Sequence, residues 1–136
     1  ECKSLSTLHL PNTINEIGIL AFADAGLEEI HFPENLLTIN QQAFAGNKEL
    51  TEITIPKNVR TIGGMAFAYC KNLETVIFES DDPDIFDYQR RDDGIFAECK
   101  KLKNIYVPAK SHDHYKSNER WEIYRDYIRI NPKDKR

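Results

Sequence analysis

The strongest constraint on the fold of this chain is an internal repeat of 22 to 23 residues. Proline recurs at that interval, at Pro11, Pro33 and Pro56. The tripeptide Ala-Phe-Ala keeps the same interval, at residues 21–23, 43–45 and 66–68. Because two independent markers share one period, the chain is predicted to consist of successive copies of one structural unit.

Each unit also carries three apolar residues in the pattern Φ-x-x-Φ-x-Φ, in which Φ is apolar and x is any residue. Five such triplets occur: Leu5/Leu8/Leu10, Leu27/Ile30/Phe32, Leu50/Ile53/Ile55, Leu73/Val76/Phe78 and Leu102/Ile105/Val107. The last two apolar residues of a triplet alternate as in a half-buried strand. Proline directly after a triplet ends the strand, because its ring has no N–H to donate.

A unit of about 23 residues cannot bury its own apolar face, so the units must stack on one another. Strands of successive units would then run parallel, about 4.8 Å apart. The phenylalanines are expected to form one interior stack, made of Phe22, Phe44, Phe67 and Phe96. The predicted fold class is a repeat solenoid built mainly of short parallel β-strands with loops and short helical turns.

Residues 50–56 and 66–73 carry the fullest version of the repeat, L-x-x-I-x-I-P followed by A-F-x-x-C-x-x-L. This pattern resembles the BspA-like leucine-rich repeats of bacterial surface proteins, over roughly residues 1 to 130. The resemblance implies a right-handed leucine-rich-repeat superhelix in a secreted or surface-anchored bacterial protein, of the adhesin kind that binds host extracellular-matrix proteins. Proline after the strand, and an apolar residue where Asn or Cys is usual, depart from the common consensus and argue against an asparagine ladder.

The periodicity predicts three segments: a solenoid of about five rungs over residues 1–108, a C-terminal cap over 109–131 and a polar tail over 132–136. The fourth turn, from Leu73 to Leu102, spans 29 residues against 23 in the preceding turn, which places an insertion within 79–95. The inserted stretch is rich in aspartate, but its spacing does not fit a calcium-binding loop.

The cap has its own apolar pattern. Apolar residues at mixed spacings of three and four predict an amphipathic helix within Glu119 to Ile130, and they are Trp121, Ile123, Tyr124, Tyr127 and Ile128. Its role would be to cover the open end of the last turn.

At the other end, Cys2 to Leu5 reads as the tail of a turn that lacks its Ala-Phe half. The native protein is therefore expected to continue upstream, and the uncapped first turn to promote self-association.

The cysteines share one repeat slot, three residues after each core Phe and three before the next Leu. Cys2, Cys70 and Cys99 occupy this slot, and Ala25 and Asn47 fill it in the other turns. The slot predicts a small buried residue facing the core. A Cys70–Cys99 disulfide stays open as an alternative, because consecutive turns lie within bridging distance. No metal is expected, since the paired C-x-x-C spacing of zinc sites is missing from the sequence.

Charge and motifs exclude several functions. Lys and Arg number 18 against 22 for Asp and Glu, so no net cationic field attracts nucleic acid. No apolar run approaches the roughly 20 residues of a membrane-spanning helix. The sequence has no nucleophile–base signature and no phosphate-binding loop, which leaves a hydrolase as an unsupported enzyme alternative. A non-enzymatic protein without cofactors is predicted.

The outward face of the strands is the candidate binding site. Its central row is predicted to contain exposed residues at equivalent positions of successive turns: His9, His31, Thr54, Ile77 and Tyr106. In the neighbouring row, Glu29 and Glu52 would set the preference for the charge of the ligand. We expect a protein ligand, with Ile77 and Tyr106 as anchors. A glycan-binding face, or a spacer or cap fragment with no ligand of its own, are the alternatives.

Overall fold

The computed structural model describes residues 6–82, 84 and 94–134. Its strands are short, and they are β1 (Thr7–His9), β2 (Glu16–Ile17), β3 (Glu29–His31), β4 (Thr38–Ile39), β5 (Glu52–Ile55), β6 (Thr61–Ile62), β7 (Thr75–Phe78), β8 (Asn104–Val107) and β9 (Ile128–Ile130). Helical segments lie between β8 and β9: a 3₁₀ helix at Ala109–Ser111, α1 (His112–Ser117) and a 3₁₀ helix at Glu119–Tyr127.

Three parallel sheets run along the axis of the array. β1 pairs with β3, β4 lies between β2 and β6, and the third sheet has the order β5, β7, β8, β9. Equivalent positions of successive turns face one another: Ile53 lies opposite Val76, which lies opposite Ile105. Parallel pairing at one repeat interval confirms the predicted repeat solenoid. The leucine-rich core is continuous from Ile17 to Ile128.

The predicted phenylalanine stack is confirmed. Ring centroids are 5.5 Å apart between Phe22 and Phe44, 5.4 Å between Phe44 and Phe67, and 6.1 Å between Phe67 and Phe96. The rings of the first two pairs are nearly parallel, at 12° and 6°. Phe44 and Phe67 are fully buried, so each ring removes its whole apolar surface from water, a gain of about 2–3 kcal/mol.

The Ala-Phe-Ala segments join successive turns through their backbones. The N–H groups of Phe22, Phe44 and Phe67 each donate to a carbonyl of the next turn, as from Phe22 to Ala43 and from Phe44 to Ala66, both at 2.8 Å. Residues on both sides of these segments have positive φ, among them Gln42 and Gly46. A Cβ at Gly46 would lie 1.9 Å from Asp24 Oδ1, so a larger residue at this position would displace the Asp24 side chain.

Asn47 shows that the slot after the core Phe is a hydrogen-bonding position. Its side-chain nitrogen donates to the carbonyls of Phe22 and Phe44, at 3.0 and 2.8 Å, and its oxygen accepts from the Leu27 N–H at 2.9 Å. The loop from Phe22 to Leu27 is one residue shorter than the loop from Phe44 to Leu50. Leu50 donates to the Asn47 backbone carbonyl, whereas Leu27 uses the Asn47 side chain instead.

The two described cysteines continue this ladder. Cys70 Sγ donates to the Phe44 carbonyl at 3.5 Å, and Cys99 Sγ donates to the Phe67 carbonyl at 3.1 Å. Both cysteines are free thiols, and both are buried, as the repeat slot predicts. The expectation that the chain lacks an asparagine-type ladder is wrong, because Asn and Cys both supply a side-chain donor at this slot. Cys2 lies outside the described residues.

The prediction of one amphipathic helix within Glu119 to Ile130 is wrong, because the structure has a 3₁₀ helix followed by the strand β9 there. Trp121 and Tyr124 are three residues apart and both buried, which suits a 3₁₀ helix with three residues per turn. Ile123 is 54% exposed, so it does not lie on the buried side of this 3₁₀ helix. Ile128 lies in β9, which pairs with β8 and adds a strand to the sheet. The cap thus closes the array with helical turns and a strand together.

Aromatic side chains attach the cap to the last turns. The Trp121 ring meets Phe78 edge-on at 5.2 Å and 90°. The Tyr115 hydroxyl donates to the Ser80 carbonyl at 2.7 Å, and burial together with Asp81 and Asp82 raises the pKa of that phenol. The cap therefore packs on the fourth turn as well as on β8.

The predicted segment boundaries at residues 108 and 131 remain expectations. Most of the insertion within 79–95 and the last residues of the tail lie outside the described residues. The described part of the tail is attached, because the Ala109 N–H donates to the Asp134 carboxylate.

Candidate binding surface on the strand face

We call the outward side of β1, β3, β5, β7 and β8 the strand face. Burial alternates along these strands, as in β5, where Ile53 and Ile55 are buried while Glu52 is exposed and Thr54 half-buried. The candidate contact residues all lie on the strand face, and they are His9, Glu29, His31, Glu52, Thr54, Ile77 and Tyr106. The period-2 alternation places them there.

The strand face has two parts, which corrects the expected continuous row of five rungs. β1 pairs with β3, and β5 pairs with β7, but β3 and β5 form no described pair. His9 and His31 therefore belong to one sheet, and Thr54, Ile77 and Tyr106 to another. The apolar triplets that contain β3 and β5 have the same internal spacing, so the triplet pattern contained no signal for this break.

The first part carries a pair of stacked imidazoles. The His9 and His31 rings are parallel within 1°, with centroids 4.3 Å apart. His31 Nε2 lies 3.0 Å from Glu29 Oε2. The in-register pairing of β1 with β3 produces this stack, since His9 and His31 are direct partners.

The break between β3 and β5 opens an acidic groove with a volume of about 810 Å³. Six glutamates line it: Glu28, Glu29, Glu34, Glu49, Glu52 and Glu79. Among the residues that the structure describes, no Lys or Arg lines this groove, and His31 is the one basic side chain in its lining. Like charges around a concave surface concentrate negative potential, which attracts cationic groups. Sequence analysis identified only Glu29 and Glu52 of this set.

The second part is a row of side chains in register. Thr54, Ile77 and Tyr106 are direct partners across β5, β7 and β8. Arg129 of β9 extends the row beside Tyr106, and its Nε donates to Asn104 Oδ1 at 2.8 Å. Sequence analysis missed Arg129 because its segment was predicted as helix. Ile77 and Tyr106 are half-buried, not fully exposed as expected.

This geometry suits recognition by charge and contact. In the ranges that the structure describes, no three His, Cys, Asp or Glu side chains are grouped closely enough to hold a metal ion. Among the same residues, no helix has the length and apolar character to cross a membrane. What the strand face offers is an acidic concavity beside a half-buried apolar and aromatic row.

The fold and the repeated strand face define a leucine-rich-repeat solenoid. Residues 1–88 match the sequence profile of the BspA type leucine rich repeat region in six copies. This match spans more than half of the chain, and the chain therefore belongs to the BspA-type leucine-rich repeat family. No curated protein sequence matches it.

Two solved structures share the fold. The crystal structure of the pneumococcal vaccine antigen PcpA superposes with a TM-score of 0.64 at 24% identity, over 93% of this chain and 36% of that chain. A leucine-rich repeat protein from Bacteroides ovatus gives a TM-score of 0.50 at 30% identity, over 79% of this chain and 32% of that one. The chain thus spans about a third of the length of either protein.

Proposed function

We propose that this chain is a non-enzymatic protein-binding module of a secreted or surface-anchored bacterial protein, and that it binds host extracellular proteins in the manner of an adhesin. The observation that carries this proposal is the strand face, where the outward side chains of β1 and β3, and of β5, β7 and β8, lie at equivalent positions of successive turns. Solenoids bind through such surfaces, built from equivalent positions of successive turns. Membership of the BspA-type family supports the bacterial surface location.

The two parts of the strand face suit different portions of one partner. The acidic groove favours a segment that carries Lys or Arg, because six glutamates line it. The row of Ile77 and Tyr106 offers apolar and aromatic contact, of the kind that contributes most of the binding energy at interfaces. A partner that spans both parts would combine fast electrostatic association with slow dissociation from the apolar row.

The affinity of the isolated chain should be modest. Five rungs at about 4.8 Å give a surface about 20 Å long. Its area falls at or below the ~800 Å² per partner of a standard protein interface. Further turns in the same array would enlarge the surface without changing the mode of contact.

A binding screen tests this proposal. The chain is presented to a panel of purified extracellular-matrix proteins and glycans, beside the double variant Ile77→Ala/Tyr106→Ala. The matched control is Ile123→Ala/Tyr69→Ala, which removes one Ile and one Tyr that are 54% and 52% exposed outside the strand face. We expect a protein ligand whose binding weakens by about 2 kcal/mol in the first variant and stays unchanged in the control.

Other outcomes would contradict the proposal in distinct ways. Binding to glycans alone would favour a carbohydrate-binding face. A confirmed protein ligand that binds both double variants equally well would place the site away from the strand face, with residues 81–93 as the next segment to test.

A further inference from the structure

Two contacts between the third and fourth turns differ from those between earlier turns. The Phe67 and Phe96 rings are 6.1 Å apart and tilted by 23°, the widest and most tilted of the three stacked pairs. The sheet of β2, β4 and β6 ends at β6, so no described strand of the fourth turn extends it. Two of the interactions that hold earlier turns together are therefore weakened or missing here, within the described residues.

Cys70 and Cys99 lie across this same contact. Cys70 ends the third turn and Cys99 ends the fourth, at equivalent positions of the repeat. Both are free thiols, 0% and 8% exposed. The two thiols are close enough for each to shift the pKa of the other. The chain therefore places two buried thiols at equivalent positions of the two consecutive turns whose phenylalanine rings are stacked farthest apart.

The backbone geometry suits a covalent link. Directly before the two cysteines, the Tyr69 N–H donates to the Ala97 carbonyl at 2.8 Å, so the two turns run as paired neighbours. Neighbouring parallel segments lie about 4.8 Å apart, inside the ~4.4–6.8 Å range of Cα separations in disulfides. At such a spacing, side-chain rotation would bring the two sulfurs together with little movement of the backbone.

We propose that Cys70 and Cys99 form a reversible disulfide that locks the third turn to the fourth in oxidising surroundings. With hydrogen peroxide as oxidant, one thiol becomes a sulfenic acid and releases water. The second sulfur then displaces the hydroxyl group, which leaves as a second water. Two S–H bonds break and one S–S bond forms, so the two thiols are oxidised by two electrons and the peroxide is reduced to water.

The two sulfurs differ in reactivity. The contact with Cys70, followed by burial, raises the pKa of the Cys99 thiol. The neighbouring Cys99 side chain lowers the pKa of the Cys70 thiol, which favours Cys70 as the nucleophile toward peroxide. Because Cys70 is fully buried, oxidation should follow local opening and proceed over minutes to hours.

The disulfide has a local cost and a larger gain. Loss of the S–H donors leaves the Phe44 carbonyl bound to the Asn47 amide, whereas the Phe67 carbonyl loses its bond from Cys99. In exchange, the bond closes a loop of 29 residues from Cys70 to Cys99 and restricts the unfolded chain. The net effect should be a more stable oxidised form.

The test uses the whole chain with Cys2→Ser, which removes the third thiol. The protein is oxidised with hydrogen peroxide, digested without reductant and analysed by mass spectrometry. We expect a peptide pair that joins Cys70 to Cys99, lighter by two hydrogen atoms than the separate peptides. The melting temperature should rise by about 5 °C or more on oxidation and return to its starting value with dithiothreitol.

Two further variants serve as controls. Cys2→Ser/Cys99→Ala and Cys2→Ser/Cys70→Ala should show no such rise, and either one suffices if the other does not fold. Oxidation that yields only sulfinic acids or intermolecular dimers, or a linked protein that melts at or below the reduced form, would overturn the proposal.

Discussion

The middle turns and the C-terminal cap both supply a hydrogen-bond acceptor for the N–H of a core Phe, but they use different groups. In the middle turns, the N–H of Phe22 or Phe44 donates to a backbone carbonyl of the following turn. Phe96 has the cap after it, and its N–H donates to the Tyr124 hydroxyl at 3.2 Å. A side-chain oxygen thus replaces a backbone acceptor, which leaves the last Phe satisfied where the repeat stops.

Ring geometry shows the same difference. Phe22, Phe44 and Phe67 stack nearly in parallel, which leaves a ring face open for another turn. Tyr124 instead meets Phe96 edge-on, at 5.4 Å and 76°. Parallel stacking allows the array to continue, whereas an edge-on ring covers the open face and ends it. Both arrangements are favourable for aromatic pairs, so ending the array costs little stability.

The largest expected effect comes from breaking the cap at Trp121. Trp121→Ala should lower the free energy of unfolding by about 3–5 kcal/mol, because a fully buried ring that meets Phe78 and Tyr115 is removed. Ile123→Ala, in the same 3₁₀ helix but 54% exposed, should change it by less than about 0.5 kcal/mol. Equal effects of the two substitutions in urea unfolding would show that the cap does not hold the array closed.

The next effect concerns the ladder in the middle turns. Asn47→Ala should cost about 2–3 kcal/mol, since it leaves the buried Leu27 N–H without its acceptor and removes the donor to the Phe22 carbonyl. Cys70→Ala, measured under reducing conditions, should cost about 1–2 kcal/mol, because it removes one weak S–H donor and one buried sulfur. If thermal or urea unfolding shows a larger loss of stability for Cys70→Ala than for Asn47→Ala, the expected order of the two contributions to the ladder is wrong.

The hydroxyl of Tyr124 offers a finer test of the cap. Tyr124→Phe keeps the edge-on ring but removes the acceptor of the Phe96 N–H, so we expect a loss of about 1–2 kcal/mol and faster hydrogen exchange of that amide. Tyr127→Phe is the control, because Tyr127 is 36% exposed. Unchanged exchange at Phe96 in the Tyr124 variant would mean that the hydroxyl does not replace the backbone acceptor.

The smallest effect concerns backbone strain. Gln42 and Gly94 occupy one repeat slot, two residues before the core Phe, with φ of 55° and 59°. Gln42→Gly should raise the free energy of unfolding by about 0.5 kcal/mol, because relief of left-handed strain slightly exceeds the added entropy of the unfolded chain. Gly94→Gln should lower it by a similar amount. A destabilised Gln42→Gly protein would show that side-chain contacts dominate at this slot.

The core could be predicted from the sequence because its residues recur at the repeat interval. Phe44, Phe67 and their strands are constrained by equivalent residues on both sides, so a single period placed them correctly. The cap has no second copy to align with it, and its mixed apolar spacing fits an α-helix about as well as a 3₁₀ helix followed by a strand. For this reason Ile128 was assigned to a helix, and Arg129 was absent from the expected binding surface.

The strand face was only partly predictable for a different reason. Alternation of apolar and polar residues indicates which side chains point outward, as it did for Glu52 and Tyr106. It does not indicate whether neighbouring strands pair, so the break between β3 and β5 and the resulting acidic groove were not expected. Glu28 and Glu79 line that groove from positions outside the two predicted rows.

The central claim, that the strand face binds a protein partner, is tested most directly by carboxyl footprinting. The chain is labelled at its carboxylates with and without the extracellular protein that binds it most tightly in the panel, and labelling is read by mass spectrometry. We predict several-fold lower labelling of Glu29 and Glu52 in the complex. Labelling of Glu98 and Glu122, which are exposed and lie outside the strands of the strand face, should be unchanged. Protection of Glu98 or Glu122 with free labelling of Glu29 and Glu52 would contradict the claim.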